Sequence, residues 1–189
     1  MLKRSLGSLA LLAILAACGG KEPVPEVEPS APPSSAAPAR DLVSAEDIQM
    51  SWTGEFLQTE LKSTALFSAT PSEDGVLVER VATGEADSSG PTNGARLHSI
   101  LPTLGDTSGA VLNVEVMARV VGSDTGAFRV AYSTHYKGNS GWHDFELTDE
   151  FAPFAFTYTI RDGEDLNGDY IGFAVEEGTV VEISEVNIR

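Results

Sequence analysis

The sequence predicts an all-β protein whose folded part is one antiparallel β-sandwich. Runs in which apolar and polar residues alternate recur from residue 75 to residue 189, and clusters of Gly, Asp, Ser and Asn separate them. This is the pattern of half-buried strands joined by turns, and about seven to nine such strands fill two packed sheets. All 14 aromatic residues lie beyond residue 41, so the core must come from that part of the chain.

The first 17 residues are predicted to be an export signal and not part of the fold. Lys3 and Arg4 precede an apolar run that ends at Ala17, and this run is too short to span a bilayer. It leads into the letters LAAC, which end at Cys18, the one cysteine of the chain. This motif resembles the lipobox of bacterial lipoproteins, which implies cleavage before Cys18 and acylation of its thiol. The resemblance therefore implies a lipid bilayer as partner and a bacterial cell envelope as location, the outer membrane if the source is Gram-negative.

Residues 18–40 are predicted to be the lipidated cysteine followed by a disordered, proline-rich linker. They hold six of the ten prolines and no aromatic residue, so they cannot build a core. The β-sandwich domain is therefore expected over residues 41–189.

The first part of this domain gives the weakest pattern. Residues 51–67 leave helix and strand open, because Leu57, Leu61 and Ala65 recur at the helical spacing of four. Residues 75–83 and 95–101 alternate less regularly than later runs and are predicted to be strands.

The central strands alternate clearly and predict which side chains face the core. In residues 110–121 the predicted buried face consists of Leu112, Val114, Val116, Ala118 and Val120. In residues 126–134 it consists of Phe128, Val130 and Tyr132. The polar residues between them predict that each sheet keeps one solvent-facing side.

Residues 141–160 are predicted to form two strands around an acidic turn. Phe145 and Leu147 share one face of the first strand. An aromatic stripe runs along one face of the second strand and consists of Phe154, Phe156, Tyr158 and Ile160. The threonines opposite this stripe already provide a solvent-facing side, so the stripe is expected to be core. Pro153 is expected at the first position of the strand, where no ladder donor is missed.

The last two strands are predicted at residues 169–176 and 178–189. The buried face of the first of them consists of Ile171, Phe173 and Val175. In the second strand the apolar positions Val181 and Ile183 are followed by Val186, which breaks the two-residue spacing. This change of parity predicts a β-bulge at Ser184 and Glu185.

The charge and the motif content exclude several classes of function. The formal net charge of −16 repels phosphate backbones and argues against a nucleic-acid partner. A single cysteine excludes an internal disulfide and a zinc site built from cysteines. The sequence contains no P-loop, nucleophile elbow or HExxH motif, so an enzyme is not predicted.

Three stretches resemble known strands of jelly-roll modules. They are VLNVEVMARVVG (111–122), WHDFELTDEFAPFAFTYTI (142–160), in which the turn LTDEF (147–151) leads into an aromatic-rich strand, and GTVVEISEVNIR (178–189). Together they resemble carbohydrate-binding modules with the galactose-binding-like jelly-roll fold, over roughly residues 75–189. The resemblance implies a jelly-roll topology and a domain that binds a glycan.

The loop over residues 134–144 is the candidate ligand site, because it mixes aromatic and hydrogen-bonding groups most densely. Sugars require flat apolar faces for their C–H groups and polar groups for their hydroxyls. The residues that could supply these are Tyr136, Asn139, Trp142 and His143. The alternative is that Trp142 packs over one end of the sandwich and that Asn139 only shapes the turn.

The acidic loop over residues 162–169 is a candidate calcium site. Oxygen ligands at alternate positions suit Ca²⁺, and the candidate ligands are Asp162, Asp165, Asn167 and Asp169. The sixth position counted from Asp165 is Tyr170 instead of glycine, so the loop is not an EF-hand. The alternative is a solvated turn.

Taken together, the sequence predicts a non-enzymatic lipoprotein of the cell envelope whose β-sandwich binds a glycan or another envelope component. The alternative is a structural or assembly lipoprotein that acts through protein–protein interaction.

Overall fold

The structure, a computed structural model, describes residues 49–83, 94–100, 105–134, 138–162 and 168–189. All of them belong to the larger of two units into which the chain divides, Pro38–Arg189. The predicted signal peptide, the Cys18 anchor and the linker lie outside the described residues. Within the described ranges, no helix is both long and apolar enough to cross a membrane.

The described residues form eleven strands and one short helix. In chain order these are β1 (Met50–Thr53), α1 (Gly54–Glu60), β2 (Leu61–Lys62), β3 (Phe67–Pro71), β4 (Val76–Arg80), β5 (Ala95–Ser99), β6 (Val111–Val121), β7 (Thr125–Ser133), β8 (His143–Thr148), β9 (Ala152–Thr159), β10 (Asp169–Val175) and β11 (Val180–Ile188).

The strands form two antiparallel sheets that pack face to face. One sheet has six strands in the order β3-β4-β11-β6-β9, with β1 also paired to β11. The other has five strands in the order β2-β5-β10-β7-β8. The predicted all-β sandwich is confirmed.

The core lies between the two sheets and contains the faces that alternation predicted. All five predicted core residues of β6 are at most 2% exposed, and Phe128, Val130 and Tyr132 of β7 are buried as well. In β9 the aromatic stripe faces the other sheet, where Phe154 packs edge-on against Phe128 with ring centroids 5.4 Å apart. The aromatic residues of this stretch therefore form the seam of the sandwich, as predicted.

The ambiguous segment at residues 51–67 contains both kinds of structure. It begins in β1, turns through α1, and re-enters a sheet as β2, so helical spacing holds for only part of it. Leu57 is the buried residue of the helix, and Leu61 is buried on β2, where it pairs with Leu97. The helix ends at Glu60 because the following residues enter the ladder of the five-stranded sheet.

The predicted bulge in β11 is confirmed and has a clear role in the sheet. The register shifts between Ile183 and Glu185. Up to Ile183 one edge of β11 pairs with β4, and from Glu185 onward the same strand pairs with β1. The bulge thus marks the point where β11 exchanges one neighbour for another. Gly75 lies at this point because a Cβ atom there would lie 2.0 Å from the Ile183 carbonyl oxygen.

Pro153 lies at the second position of β9, one residue later than expected. β9 is the edge strand of its sheet and pairs with β6 on one side. An edge strand tolerates proline because one side of its backbone needs no ladder donors.

Candidate functional site

The outward side of the five-stranded sheet carries the most prominent candidate site in the described structure. We call it the five-strand face and define it by the outward-pointing residues of β2, β5, β10, β7 and β8. Its strand register follows from the residue pairs across the sheet, in which Gly172 lies between Arg96 and Ala131, and Tyr170 lies between His98 and Ser133. Strand pairing thus brings together residues from distant parts of the sequence.

The centre of the five-strand face is a floor of small residues. Ala131, Ser133, Gly172 and Ala174 occupy neighbouring positions on β7 and β10, and all four are buried. Alternation predicted that the outward side of β7 and β10 would face solvent. For the four small residues of the floor that prediction is wrong. A small side chain is shielded from solvent when larger side chains surround it. The periodicity within one strand cannot predict this burial.

Aromatic and cationic side chains flank the floor on two sides. On the β5 side the Arg96 guanidinium lies 5.2 Å from the centroid of the Tyr170 ring, and the His98 ring lies 6.5 Å from the same centroid. On the β8 side the Arg129 guanidinium lies 5.3 Å from the ring centroid of Trp142. Both contacts are within the range of cation–π attraction. Each aromatic ring is therefore held by a neighbouring arginine.

This arrangement can hold a ligand that has both flat apolar surfaces and polar substituents. The rings of Trp142 and Tyr170 are half-buried and offer apolar surface beside the small floor. The exposed Arg129 offers fixed N–H donors in a planar fork. A few convergent polar groups around an apolar surface are typical of ligand sites.

The structure separates the four residues predicted as a ligand site. Trp142 lies on the five-strand face beside Arg129. His143 follows it as the first residue of β8 and faces the interior, where its ring stacks on Phe156 with centroids 4.0 Å apart. Its Nε2 atom is buried and has no hydrogen-bond partner among the described residues. Trp142 precedes β8 and is half-buried, and it packs against the core as well as against Arg129.

The other two predicted residues belong to the preceding turn. Asn139 accepts a hydrogen bond on its Oδ1 from the Gly141 backbone N–H at 2.8 Å, and it forms an isolated bridge with Ser133. Ser140 supports the same turn, since its Oγ accepts from the Tyr132 N–H at 2.9 Å. Asn139 thus shapes the turn beside the face, whereas Tyr136 lies outside the described residues. Ligand binding by these residues stays a prediction.

The predicted calcium ligands lie in different surroundings. Asp162 is exposed, whereas Asp169 is 1% exposed and accepts a hydrogen bond from the Tyr132 hydroxyl at 2.5 Å. Asp165 and Asn167 lie outside the described residues. In the described part of the chain, no group of three or more His, Cys, Asp or Glu could hold a metal ion. The calcium site therefore stays a prediction.

Sequence reasoning missed the cationic and aromatic residues of the face, namely Arg96, His98, Arg129 and Tyr170. These residues occupied polar positions of alternating strands, where solvent exposure is the ordinary expectation. The one available signal was in β10, where Tyr170 is followed on its own face by Gly172 and Ala174. An aromatic residue beside two small ones indicates a surface that can receive a ligand.

Comparison with known proteins identifies structures that have a similar fold. No family model matches the chain, and no curated protein matches it either. A solved structure of Clostridium thermocellum xylanase 10B, comprising CBM22-1 and GH10 modules complexed with xylohexaose, superposes with a TM-score of 0.53 at 12% identity. The match covers 76% of this chain and 28% of that chain, so this chain spans under a third of the xylanase fragment.

Two smaller structures are also similar at low identity. The CBM22-1 xylan-binding domain of Paenibacillus barcinonensis Xyn10C has a TM-score of 0.45 at 14% identity, over 74% of this chain and 92% of that one. A module of Cellvibrio mixtus lichenase 5A in complex with cellotriose has a TM-score of 0.43 at 10% identity, over 74% and 95%. The likeness to the xylanase structure shows the fold alone, and it agrees with the jelly-roll β-sandwich that the sequence resemblance implied.

Proposed function

We propose that this chain is a non-catalytic, lipid-anchored protein of the bacterial cell envelope whose β-sandwich binds a glycan on the five-strand face. The observation that carries the proposal is the small-residue floor between two arginine-held aromatic rings, Tyr170 with Arg96 and Trp142 with Arg129. The jelly-roll fold agrees with this function but does not select a ligand, because one fold serves many roles.

The chemistry of the face suits a glycan. A pyranose ring has flat C–H surfaces, which pack against aromatic rings, and hydroxyls at its edge, which need donors and acceptors. Tyr170 and Trp142 supply the rings, and the exposed Arg129 beside Trp142 supplies donors.

The cell-envelope location is proposed from the N-terminal sequence. The LAAC motif places Cys18 for acylation, and a stable anchor needs about two lipid chains, which a diacylglycerol thioether provides. The proline-rich linker up to residue 40 then separates the domain from the membrane surface. The absence of a recognisable catalytic motif in the sequence supports a binding role over an enzymatic one.

The test is retention of the full chain, in detergent micelles, on immobilised polysaccharides. We expect retention on at least one polysaccharide and a loss of about tenfold or more in Tyr170→Ala and Trp142→Ala, since each removes a stacking surface. The matched control is Phe56→Ala, which removes an aromatic ring that is 56% exposed on α1 and is not one of the two rings in the proposed site. Circular dichroism verifies that every variant is folded.

Two results would count against the proposal. Equal retention of the wild type and both face variants would show that the glycan binds elsewhere. No retention on any polysaccharide would favour the alternative, an envelope lipoprotein that acts through protein–protein interaction.

A further inference from the structure

We infer that the edge strand β9 is a docking site for an extended, basic segment of a partner protein, which adds to the six-stranded sheet as a further strand. The inference does not depend on the proposed glycan site, because it concerns the other sheet. Four observations support it: the free backbone groups of β9, the lack of the usual protection at this edge, the half-buried rings beside it, and the charges around it.

The direction of the β9 backbone groups follows from the neighbouring strand β6. Asn113 of β6 exchanges two backbone hydrogen bonds with Arg189, at 2.7 and 3.0 Å, so its N–H and C=O groups point toward β11. These groups alternate in direction along a strand, so Leu112 and Val114 point theirs toward β9. Their partners there are the even-numbered residues of β9.

The odd-numbered residues of β9 therefore point their N–H and C=O groups away from the sheet. Apart from Pro153, which has no N–H, these residues are Ala155, Thr157 and Thr159. All three are exposed, and no described residue forms a hydrogen bond with their backbone groups. A row of unpaired backbone groups is a template on which another strand can pair.

The other described edge strands are protected in ways that β9 is not. β1 has four residues and β2 has two. β8 carries the exposed charges of Asp144 and Glu146. In β3 the Ala69 N–H already donates to Ser63 Oγ at 2.9 Å. Short length, charge and covered backbone groups are devices that keep sheet edges from pairing, whereas β9 has eight residues without a charge, and only Pro153 near its start opposes pairing.

Half-buried aromatic rings lie beside this edge. Phe145 of β8 and Phe154 of β9 point inward with ring centroids 5.5 Å apart, and both pack on the core residue Phe128. β8 and β9 are the last strands of their sheets, so the exposed part of these two rings faces the side of the sandwich. A strand added to β9 would place every second side chain on that side. Alternate apolar residues in the partner segment are therefore favoured.

The charges around the edge favour a basic partner. Residues 143–159, which contain β8, β9 and the turn between them, include four acidic residues and no lysine or arginine. The basic residues of the adjoining segments are Arg119 on β6, which is paired with Glu182 at 2.6 Å, Arg129 on β7, and Arg161 beyond the end of β9. Lysine or arginine at the other alternate positions of the partner segment would thus be attracted to this edge.

A second copy of this chain suits the edge less well. Two β9 strands could pair about Thr157, but only through the three free positions of each copy. Each copy also carries a formal charge of −16, and repulsion between like net charges opposes the contact. The same charge attracts a basic segment.

The experiment measures binding of the capped peptide KVKVKVKVK to the full chain in micelles of an uncharged detergent. In the inferred arrangement the valines face the rings, and the lysines lie opposite the free positions of β9 with their backbone N–H groups toward it. N-methylation of the three central lysines should weaken binding about tenfold or more, and N-methylation of the valines by less than about threefold. The peptide EVEVEVEVE should bind about tenfold more weakly than the lysine peptide at about 0.05 M salt.

Two further measurements locate the site. The lysine peptide at saturation should slow amide hydrogen exchange about tenfold or more at Ala155, Thr157 and Thr159, because each N–H gains an acceptor. Thr157→Lys should weaken binding of the lysine peptide about three- to fivefold, since it places like charges opposite each other. The matched control is Thr70→Lys, the same change at an exposed position of β3 on the opposite edge of the sheet, which should bind like the wild type.

Three results would overturn the inference. Equal effects of the two methylation patterns would show that the peptide binds through its charge alone. Slower exchange in β8 instead of β9 would place the peptide on the other sheet. A peptide-free protein that sediments as a dimer, with the three β9 amides already protected, would assign the edge to a second copy.

Discussion

Replacing Tyr132 by phenylalanine is expected to destabilise the domain far more than the loss of one oxygen atom suggests. Tyr132 lies on β7 and is fully buried, and its hydroxyl donates to the Oδ2 atom of Asp169 at 2.5 Å. The same hydroxyl lies 3.4 Å from the Oγ atom of Ser99. The substitution removes a donor from a carboxyl group that water cannot reach.

The expected cost follows from this contact. Removing one donor from a buried acceptor costs about 1–3 kcal/mol, and more when the acceptor is charged. We therefore expect the free energy of unfolding to fall by about 2–3 kcal/mol. For a domain of roughly 150 residues this lowers Tm by about 4–12 °C.

The matched control is Tyr158→Phe. Tyr158 is also buried, and its ring lies 5.7 Å from that of Tyr132, but its hydroxyl meets Thr134 Oγ1 at 3.5 Å, the limit of a hydrogen bond. We expect this variant to lose less than about 1 kcal/mol, since a contact at that distance is weak. Urea unfolding, followed by tryptophan fluorescence with the m-value checked, measures both variants.

The comparison can refute the reasoning directly. Equal destabilisation by the two variants would show that the Tyr132–Asp169 contact contributes no more than the marginal one. A Tyr132→Phe domain as stable as the wild type would show that Asp169 is satisfied without this donor.

Two further predictions concern the other sheet and the N-terminus. Arg119→Met should cost about 3 kcal/mol in urea unfolding, because it leaves Glu182, which is 4% exposed, without the ion pair at 2.6 Å. Adding Glu182→Gln should restore part of that loss, and no restoration would contradict the electrostatic explanation. Cys18→Ala should move the protein from the membrane pellet to the soluble fraction of fractionated cells, and a variant that stays in the pellet would exclude the lipid anchor.

The sequence was sufficient to predict the features that depend on local periodicity. The buried faces of β6 and β9 were predicted from alternation. Successive side chains of a strand point to opposite faces, so burial of one face places an apolar residue at every second position. The bulge in β11 was predicted in the same way, from the step between Ile183 and Val186. Each of these features depends on residues that are near one another in the chain.

The five-strand face could not be derived in that way. Arg96, Arg129 and Tyr170 lie on one side of the same sheet only because β10 inserts between β5 and β7 in the strand order. The density of aromatic and polar groups in residues 134–144 also placed Trp142 and His143 in one site, whereas in the structure Trp142 lies against Arg129 and His143 stacks on Phe156.

The sequence by itself determined the fold class, the core faces, the bulge and the acidic character of the chain, since all of these are local patterns or sums over composition. Only the tertiary structure decided which polar positions gather around the floor of Ala131 and Gly172. Side-chain alternation assigns a residue to a face of its own strand, and only the order and register of the strands determine its neighbours there.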